Sequence, residues 1–184
     1  YPIAIVLPED DDDARLIGNL SFIITIFISV LTLLVSLVLH DFLTEKLNLG
    51  NTEWILYLIP IYIFFTGYLQ IMEQWLTRTK QFNLKVKVKI SNSLFMNISK
   101  IIVGLFAHFG VVLIVINTIA IFLNAVRINF AILKSKRILS IHSFNFWIAN
   151  FNKMLNVGKK HYDFPLYRAP QTLLNGISKS FPIV

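Results

Sequence analysis

The stretch LIGNLSFIITIFISVLTLLVSLVLH, residues 16–40, contains no Asp, Glu, Lys or Arg. A helix needs roughly 20 apolar residues to cross about 30 Å of hydrocarbon, so this stretch predicts a transmembrane helix. Of the 184 residues, 55% are hydrophobic and 15% are charged, whereas a soluble domain carries about 25% charged residues. The composition therefore argues against a disordered chain and favours a membrane protein over a soluble domain.

Three further apolar stretches predict spans. Residues 54–76 carry Trp54 and Trp75, which would lie about 31 Å apart on a helix, at the two aromatic belts of a bilayer. A single helix over 91–133 would reach about 63 Å, so this stretch predicts a hairpin that turns at Phe109-Gly110. We therefore expect transmembrane helices at 16–40, 54–76, 91–108 and 111–133.

The distribution of Lys and Arg predicts the orientation, because cytoplasmic loops of membrane proteins are enriched in both. Residues 77–90 hold five basic side chains and no acid, and residues 134–163 hold six against one acid. Residues 41–53 hold one basic side chain against three acids. We expect the acidic start 1–15 and both basic loops to be cytoplasmic and 41–53 to be extracytoplasmic. This topology accounts for the net charge of +7, and no motif points to nucleic acid.

The pattern changes after residue 134. Apolar residues at helical spacing predict an amphipathic helix that lies on the inner surface or against the bundle. They are Ile141, Phe144, Ile148, Phe151 and Leu155. We expect Pro165 and Pro170 to interrupt the chain and 171–184 to begin another span. The expected fold is an all-α polytopic membrane protein with four transmembrane helices, an amphipathic linker over 134–170 and the start of a fifth span. We interpret it as an internal piece of a longer membrane protein.

Each predicted span carries a line of small or polar residues at three- and four-residue steps, which places the line on one helix face. In the first span, which includes Ser21, Thr25 and Ser29, we favour helix packing. The other lines contain ionisable groups, which are costly in hydrocarbon and usually face a bundle interior or a water cavity. For these lines we keep two interpretations with equal weight: a structural salt-bridge network and a functional cavity. The cavity hypothesis assigns substrate binding to Gln70, Glu73, Asn97, Lys100, Asn124 and Arg127.

Depth in the membrane sharpens the cavity hypothesis. Lys100 would lie about 13 Å from the inner end of its helix, and Arg127 about 9 Å from the inner end of the next. Both side chains lean toward the N-terminus of their helix. We therefore expect Lys100, Arg127 and Glu73 to converge in the inner half of the membrane, at a site that could hold an anion.

Several kinds of chemistry are not expected. The chain has no cysteine, and its four histidines form no His-x-x-x-His pair, so neither a disulfide scaffold nor a zinc site is predicted. It has no nucleophile elbow, phosphate-binding loop or paired catalytic carboxylates. We read Asp10–Asp13 as a solvated acidic loop. The sequence thus predicts a protein that is not an enzyme and that holds no cofactor or metal.

Several short sequence segments resemble one protein family. They are LPEDD at 7–11, LIP at 58–60, TG at 66–67, WLTRTKQF at 75–82 and YDFPLYRAP at 162–170. In this order they resemble the bacterial O-antigen and capsular polysaccharide flippases, a branch of the multidrug/oligosaccharidyl-lipid/polysaccharide superfamily. The resemblance covers about helices three to six and the linker between the two lobes of such a transporter. Lys100 matches no motif of that family, so its expected role depends on position alone.

The resemblance implies one lobe of a two-lobe transporter in the bacterial inner membrane. Such a protein would move undecaprenyl-diphosphate-linked oligosaccharides for lipopolysaccharide O-antigen or other surface polysaccharide by alternating access. A coupling ion, H⁺ or Na⁺, the lipid bilayer and a polysaccharide polymerase are the further partners it implies. Two alternatives stay open: a polytopic enzyme of polysaccharide biosynthesis, such as a polymerase or ligase, and another exporter of the superfamily. The short outer loops count against the enzyme.

Overall fold

The computed structural model describes residues 1–106, 110–134 and 144–180. Within these ranges the chain is helical and contains no β-strand. Short 3-10 helices cover Pro2–Val6 and Gly50–Thr52. The α-helices are α1 (Asp11–Val38), α2 (His40–Lys46), α3 (Ile55–Arg78), α4 (Phe82–Phe106), α5 (Gly110–Lys134), α6 (Phe144–Lys160) and α7 (Asp163–Ser180).

Three helical segments are long and apolar enough to cross a membrane: Asp11–Val38, Gly50–Arg78 and Val111–Leu133. They correspond to the spans expected at 16–40, 54–76 and 111–133. The chain therefore has the helices of a multi-pass membrane protein. The span expected at 91–108 is not among the three, because α4 carries Lys100 and several amide and hydroxyl side chains. Its expected end, His108, lies outside the described residues.

The expected basic loop 77–90 is mostly helical. Helix α4 begins at Phe82, so only residues 79–81 join α3 to α4. The amide of Lys80 donates to the carbonyl of Thr77 (3.1 Å), and that of Gln81 donates to Leu76 (2.9 Å). These bonds form a Schellman motif, which lets the chain reverse within three residues. Helix α4 therefore includes nine residues before Ser91, and the lysines 85, 87 and 89, expected in a loop, lie in this part of the helix.

The turn strains Lys80, whose φ is +55°. A side chain costs about 1–2 kcal/mol in this left-handed region, and glycine avoids most of that cost. We expect Lys80→Gly to raise the free energy of unfolding by about 0.5–1 kcal/mol. The same replacement at exposed Lys87, inside α4, should lower it by about 1 kcal/mol. Thermal unfolding in detergent, followed by circular dichroism, compares the two; equal losses would exclude strain at Lys80.

The bundle packs around α3. Helix α1 lies against one side of α3 and α5 against another, and α4 packs on α5. Buried Ile71, Met72 and Leu76 of α3 meet Ile17 of α1 and Ile128 of α5 in the main apolar cluster. At the α1–α3 crossing, a Cβ on Gly67 would lie 2.5 Å from Thr25 Cγ2. The absence of a side chain at Gly67 therefore sets the close approach of these two helices.

Helix α6 packs against α1 through Trp147 and Met154. Trp147 Nε1 donates to Asn19 Oδ1 at 2.8 Å, and Met154 is fully buried in a cluster with Leu16 and Leu20. The apolar line expected to face the inner membrane surface or the bundle, represented by Ile148, is exposed, which is compatible with a helix lying on the membrane surface. Helix α6 thus has one apolar face on α1 and a second that is open.

Helix α7 corrects the expectation for the C-terminal segment. It begins at Asp163, and Pro165 and Pro170 lie within it rather than interrupting it. Pro165 occupies the first turn, where an amide has no partner within the helix, so its missing N–H costs little there. The expected span at 171–184 begins inside α7, and residues 181–184 lie outside the described residues. The expected loop 41–53 contains the short α2 and the second 3-10 helix.

Candidate functional site

A polar cleft lies between α1 and α3. Its volume is about 530 Å³, within the range of about 300–1,000 Å³ typical of ligand sites. Residues 1–3 lie along it, and Arg168 and Thr172 of α7 add to its lining. Its polar lining side chains are Tyr1, Ser21, Thr25, Tyr62, Thr66, Gln70, Arg168 and Thr172. We call this space the polar cleft.

The α1 wall of the polar cleft is satisfied by its own backbone. Ser21 Oγ donates to the Ile17 carbonyl and Thr25 Oγ1 to the Ser21 carbonyl, both at 2.8 Å. Ser29 repeats the pattern one turn later. Such bonds let hydroxyls lie in an apolar helix without an external partner. The line of small residues in the first span therefore packs against the bundle, as its packing interpretation predicts.

The α3 wall supplies the adaptable polar groups. Tyr62, Thr66 and Gln70 follow each other at four-residue steps, as the polar line in the second span predicts. Gln70 is exposed, and its side-chain amide forms no hydrogen bond within the described part of the chain. An amide offers two donors and one acceptor oxygen, which suits a ligand rich in hydroxyl groups.

Arg168 gives the polar cleft its charge. It is exposed, and its Nη1 donates to Gln171 Oε1 at the long distance of 3.4 Å. Its guanidinium is the formal charge among the described lining residues. Arg168 is not among the site residues expected from the sequence, because Pro165 and Pro170 predict an interrupted segment around it. Its position inside the resembling phrase 162–170 was the available signal.

The three ionisable groups expected to converge do not form ion pairs with one another in the described ranges. Arg127 Nη1 is 3.2 Å from Ser91 Oγ, and its guanidinium carbon is 5.6 Å from the centroid of the Phe95 ring. Lys100 lies five residues after Phe95, which is more than one turn farther along α4. Lys100 is therefore beyond the level of Arg127.

Along the bundle axis, Glu73 and Lys100 lie on opposite sides of Arg127. Phe65 of α3 and Phe122 of α5 meet with ring centroids 5.1 Å apart, which aligns the two parallel helices. This alignment puts Glu73 about one turn beyond Arg127, toward the ends of α3 and α5. Lys100 and Glu73 are each half-buried. No ion pair among the described residues joins Glu73, Lys100 and Arg127, and their convergence at an anion site stays a prediction.

The remaining candidates lie apart. Asn97 is exposed on α4, with Nδ2 3.4 Å from Ser93 Oγ. Asn124 is buried on α5, and its Oδ1 has no hydrogen-bond partner among the described residues. Of the six residues proposed from the sequence, Gln70 lines the polar cleft.

The chain before α1 forms a strap, defined here as residues 1–9, which runs from the polar cleft to the end of α3. Arg78 binds this strap. Its Nη1 donates to the carbonyls of Ile5 (3.2 Å) and Pro8 (2.6 Å), and its Nη2 to that of Glu9 (3.3 Å). Its Nε also donates to Asp11 Oδ1 at 2.9 Å. Ala4 and Ile5 are fully buried, so the strap is part of the core.

The lining of the polar cleft is apolar over most of its area, and its polar side chains suit an amphipathic anion that carries hydroxyl groups. A guanidinium binds phosphate or carboxylate oxygens with two parallel hydrogen bonds, and the amide and hydroxyl groups pair with sugar-like hydroxyls. In residues 1–106, 110–134 and 144–180, no cluster of three His, Asp or Glu side chains could hold a metal ion. No family model matches the chain, and neither a curated protein nor a solved structure matches it.

Proposed function

We propose that this chain is part of a flippase that moves lipid-linked oligosaccharides across the bacterial inner membrane. The observation that carries the proposal is the polar cleft, which places Gln70 and Arg168 beside helices long enough to span a bilayer. The sequence phrases at 75–82 and 162–170 support the same family. The substrate would be an undecaprenyl-diphosphate-linked oligosaccharide destined for O-antigen or another surface polysaccharide.

Each part of the substrate has a chemical counterpart in the polar cleft. The diphosphate carries negative charge, which Arg168 can bind with paired N–H donors. The sugar hydroxyls can exchange hydrogen bonds with Gln70 and with the phenol of Tyr62. The isoprenoid chain stays in the hydrocarbon around the apolar helices. An ion gradient, of H⁺ or Na⁺, would drive alternating access.

Four spans belong to the same proposal. Helix α4 would form the fourth, with Arg127 held against Ser91 and Phe95 of its neighbour. The basic residues of 77–90 and 134–163 would lie on the cytoplasmic side. In this arrangement the polar cleft opens near the strap, toward the cytoplasm, where the lipid-linked substrate is assembled.

Transport assays on the purified full-length protein test the proposal. Proteoliposomes would contain a polyprenyl-diphosphate-linked disaccharide with a fluorescent sugar, and an impermeant reductant would report its exposure on the outer leaflet. We expect Arg168→Gln to slow transfer about tenfold or more, because a charge-assisted hydrogen bond contributes about 1.5–3 kcal/mol. Gln70→Ala should give a smaller loss.

Matched controls separate the polar cleft from general damage. Gln74 lies one turn after Gln70 on α3, and Arg15 is an exposed arginine of α1; neither is among the residues that line the cleft. Gln74→Ala and Arg15→Gln should transfer the sugar lipid at the parental rate. Parental rates for Arg168→Gln and Gln70→Ala as well would refute the cleft as the substrate site. Equal transfer of a fluorescent phosphatidylethanolamine would indicate a scramblase instead.

A further inference from the structure

A second cavity lies on the other side of α1. It is a groove of about 650 Å³ between α1 and α6, and its described lining is apolar. The lining residues are Ile23, Ile26, Phe27, Val30, Trp147, Ile148 and Phe151. At 100° per residue, Ile23, Phe27 and Val30 occupy the face of α1 opposite Ser21 and Thr25. The groove is thus separate from the polar cleft.

The wall formed by α6 is held in place by polar and steric contacts. Asn19, fully buried, accepts from Trp147 Nε1 and donates through Nδ2 to the Arg15 carbonyl at 2.8 Å. The Trp147 ring lies 5.8 Å from the ring of Phe22, centroid to centroid. A Cβ on Gly158 would lie 2.6 Å from Leu20 Cδ2, so the two helices touch closely there. The groove is therefore bounded by two helices that are fixed to each other.

The face of α6 that does not pack on α1 carries exposed apolar side chains and ends in a lysine. Ile148, Phe151 and Leu155 are 66%, 48% and 39% exposed, and Lys159 follows on the same face one turn later. The steps of three, four and four residues align these side chains in one stripe. Trp147 bonds Asn19, and Gly158, much farther along α6, touches Leu20, so α6 runs across α1 and Lys159 lies near the level of Leu20.

These dimensions suit a phospholipid. The groove is lined on one side by a helix long and apolar enough to cross a membrane, and its residues Phe27 and Val30 are exposed next to Leu34. An acyl chain that runs along α1 from Val30 past Phe27 and Ile23 would bring its headgroup to the level of Leu20, where the Lys159 end of α6 lies. Lysine at that depth attracts anionic headgroups while its stem stays on the apolar surface.

We propose that the groove between α1 and α6 binds an anionic phospholipid from the leaflet at the N-terminal end of α1. The acyl chain lies between α1 and α6, and the phosphate pairs with Lys159. The bound lipid completes the contact of α6 with the bundle by filling its open apolar face. This role requires no transport of the sugar lipid, so it stands separately from the proposed function.

Trp147 makes the groove observable, because it lines the groove and its fluorescence is quenched on contact with brominated acyl chains. The full-length protein would be placed in vesicles of phosphatidylcholine with increasing dibrominated phosphatidylglycerol or dibrominated phosphatidylcholine. The signal of Trp147 is the difference between the parent and Trp147→Phe, which removes the contribution of all other tryptophans. We expect phosphatidylglycerol to quench it at a several-fold lower mole fraction.

Two variants assign that preference to residues. Lys159→Gln should weaken the preference for phosphatidylglycerol about fivefold, the effect expected for one lysine near an anionic surface. Lys153, six residues earlier and about 120° around α6, is an exposed lysine that serves as the matched control. Lys153→Gln should retain the preference. Val30→Phe, which fills the groove, should reduce quenching by both lipids.

Three outcomes would overturn the proposal. Equal quenching by the two lipids in the parent would show that the headgroup charge does not contribute to binding. Equal effects of Lys159→Gln and Lys153→Gln would leave only a general surface charge. Protection of Trp147 from both lipids would show that the groove is covered by protein, either another segment of the chain or a second copy.

Discussion

Replacing Gly67 by alanine should destabilise the bundle by about 1–3 kcal/mol, the usual cost of adding atoms to a packed interior. The new Cβ would lie 2.5 Å from Thr25 Cγ2 and 2.8 Å from Thr25 Oγ1. Thr25 is β-branched and hydrogen-bonded to the Ser21 carbonyl, so its side chain has little freedom to rotate away within a helix. Helices α1 and α3 must separate instead. Thermal unfolding in detergent micelles measures the loss.

A second substitution identifies the cause. In the double variant Gly67→Ala, Thr25→Ala the nearest atom to the new Cβ is Thr25 Cβ at 3.3 Å, so most of the lost stability should return. Gly176 of α7 is the matched glycine, since a Cβ there meets no atom within 4 Å. Gly176→Ala should leave stability unchanged or raise it by up to about 1 kcal/mol. If Gly67→Ala behaves like Gly176→Ala, the close crossing is wrong.

The sequence predicts the apolar helices well because their signal is large. A run of 25 positions without an acidic or basic side chain, 16–40, has one stable state in a bilayer, which is a helix with its backbone hydrogen bonds satisfied internally. The polar line through Ser21 and Thr25 likewise predicts a packing face, since a helix repeats its faces at a fixed period. Both features depend only on local pattern.

The position of Lys100 relative to the other charged residues was harder to predict. The charge of the clustered lysines 85, 87 and 89 predicts a cytoplasmic loop there, whereas these residues lie in α4. Charge does not break a helix: lysine has a high helix propensity, and only the Schellman turn at Lys80 sets the boundary. The separation of Lys100 from Arg127 comes instead from tertiary packing, because Arg127 contacts Ser91 and Phe95 and Lys100 lies more than one turn farther along α4.

The polar cleft depends on contacts between segments that are distant in sequence. Gln70 was a candidate because it lies on a polar line, but its partners across the cleft, the strap and Arg168, come from other segments. The face that α6 presents to α1 illustrates the same limit. The regular line through Ile148 and Phe151 has the stronger periodic signal, yet Trp147 and Met154 make the buried contact. Periodicity gives the faces of a helix, and tertiary packing selects between them.

Removing the Arg78 side chain should have the largest effect of any single charged residue at this end of the bundle. Its side chain is only 10% exposed and binds the carbonyls of Ile5, Pro8 and Glu9. Arg78→Ala leaves those carbonyls without their donor, so we expect a loss of about 2–4 kcal/mol. The amides of Ala4 and Leu7, which are bonded within the strap, should lose protection from hydrogen exchange.

The contrast with Asp11 tests whether carbonyls or the ion pair carry this stability. Asp11 lies 2.9 Å from Arg78 but is 74% exposed, and exposed ion pairs contribute about 0–1 kcal/mol. Asp11→Asn should therefore cost little, whereas Arg78→Lys should lose about half as much as alanine, because one ammonium cannot reach three carbonyls with the geometry of a guanidinium. Arg15→Ala is the control, since Arg15 is 44% exposed and its closest acid, Asp12, is 3.7 Å away. A loss for Asp11→Asn equal to that for Arg78→Ala would assign the stability to the ion pair, and the strap would then be held by charge rather than by its backbone.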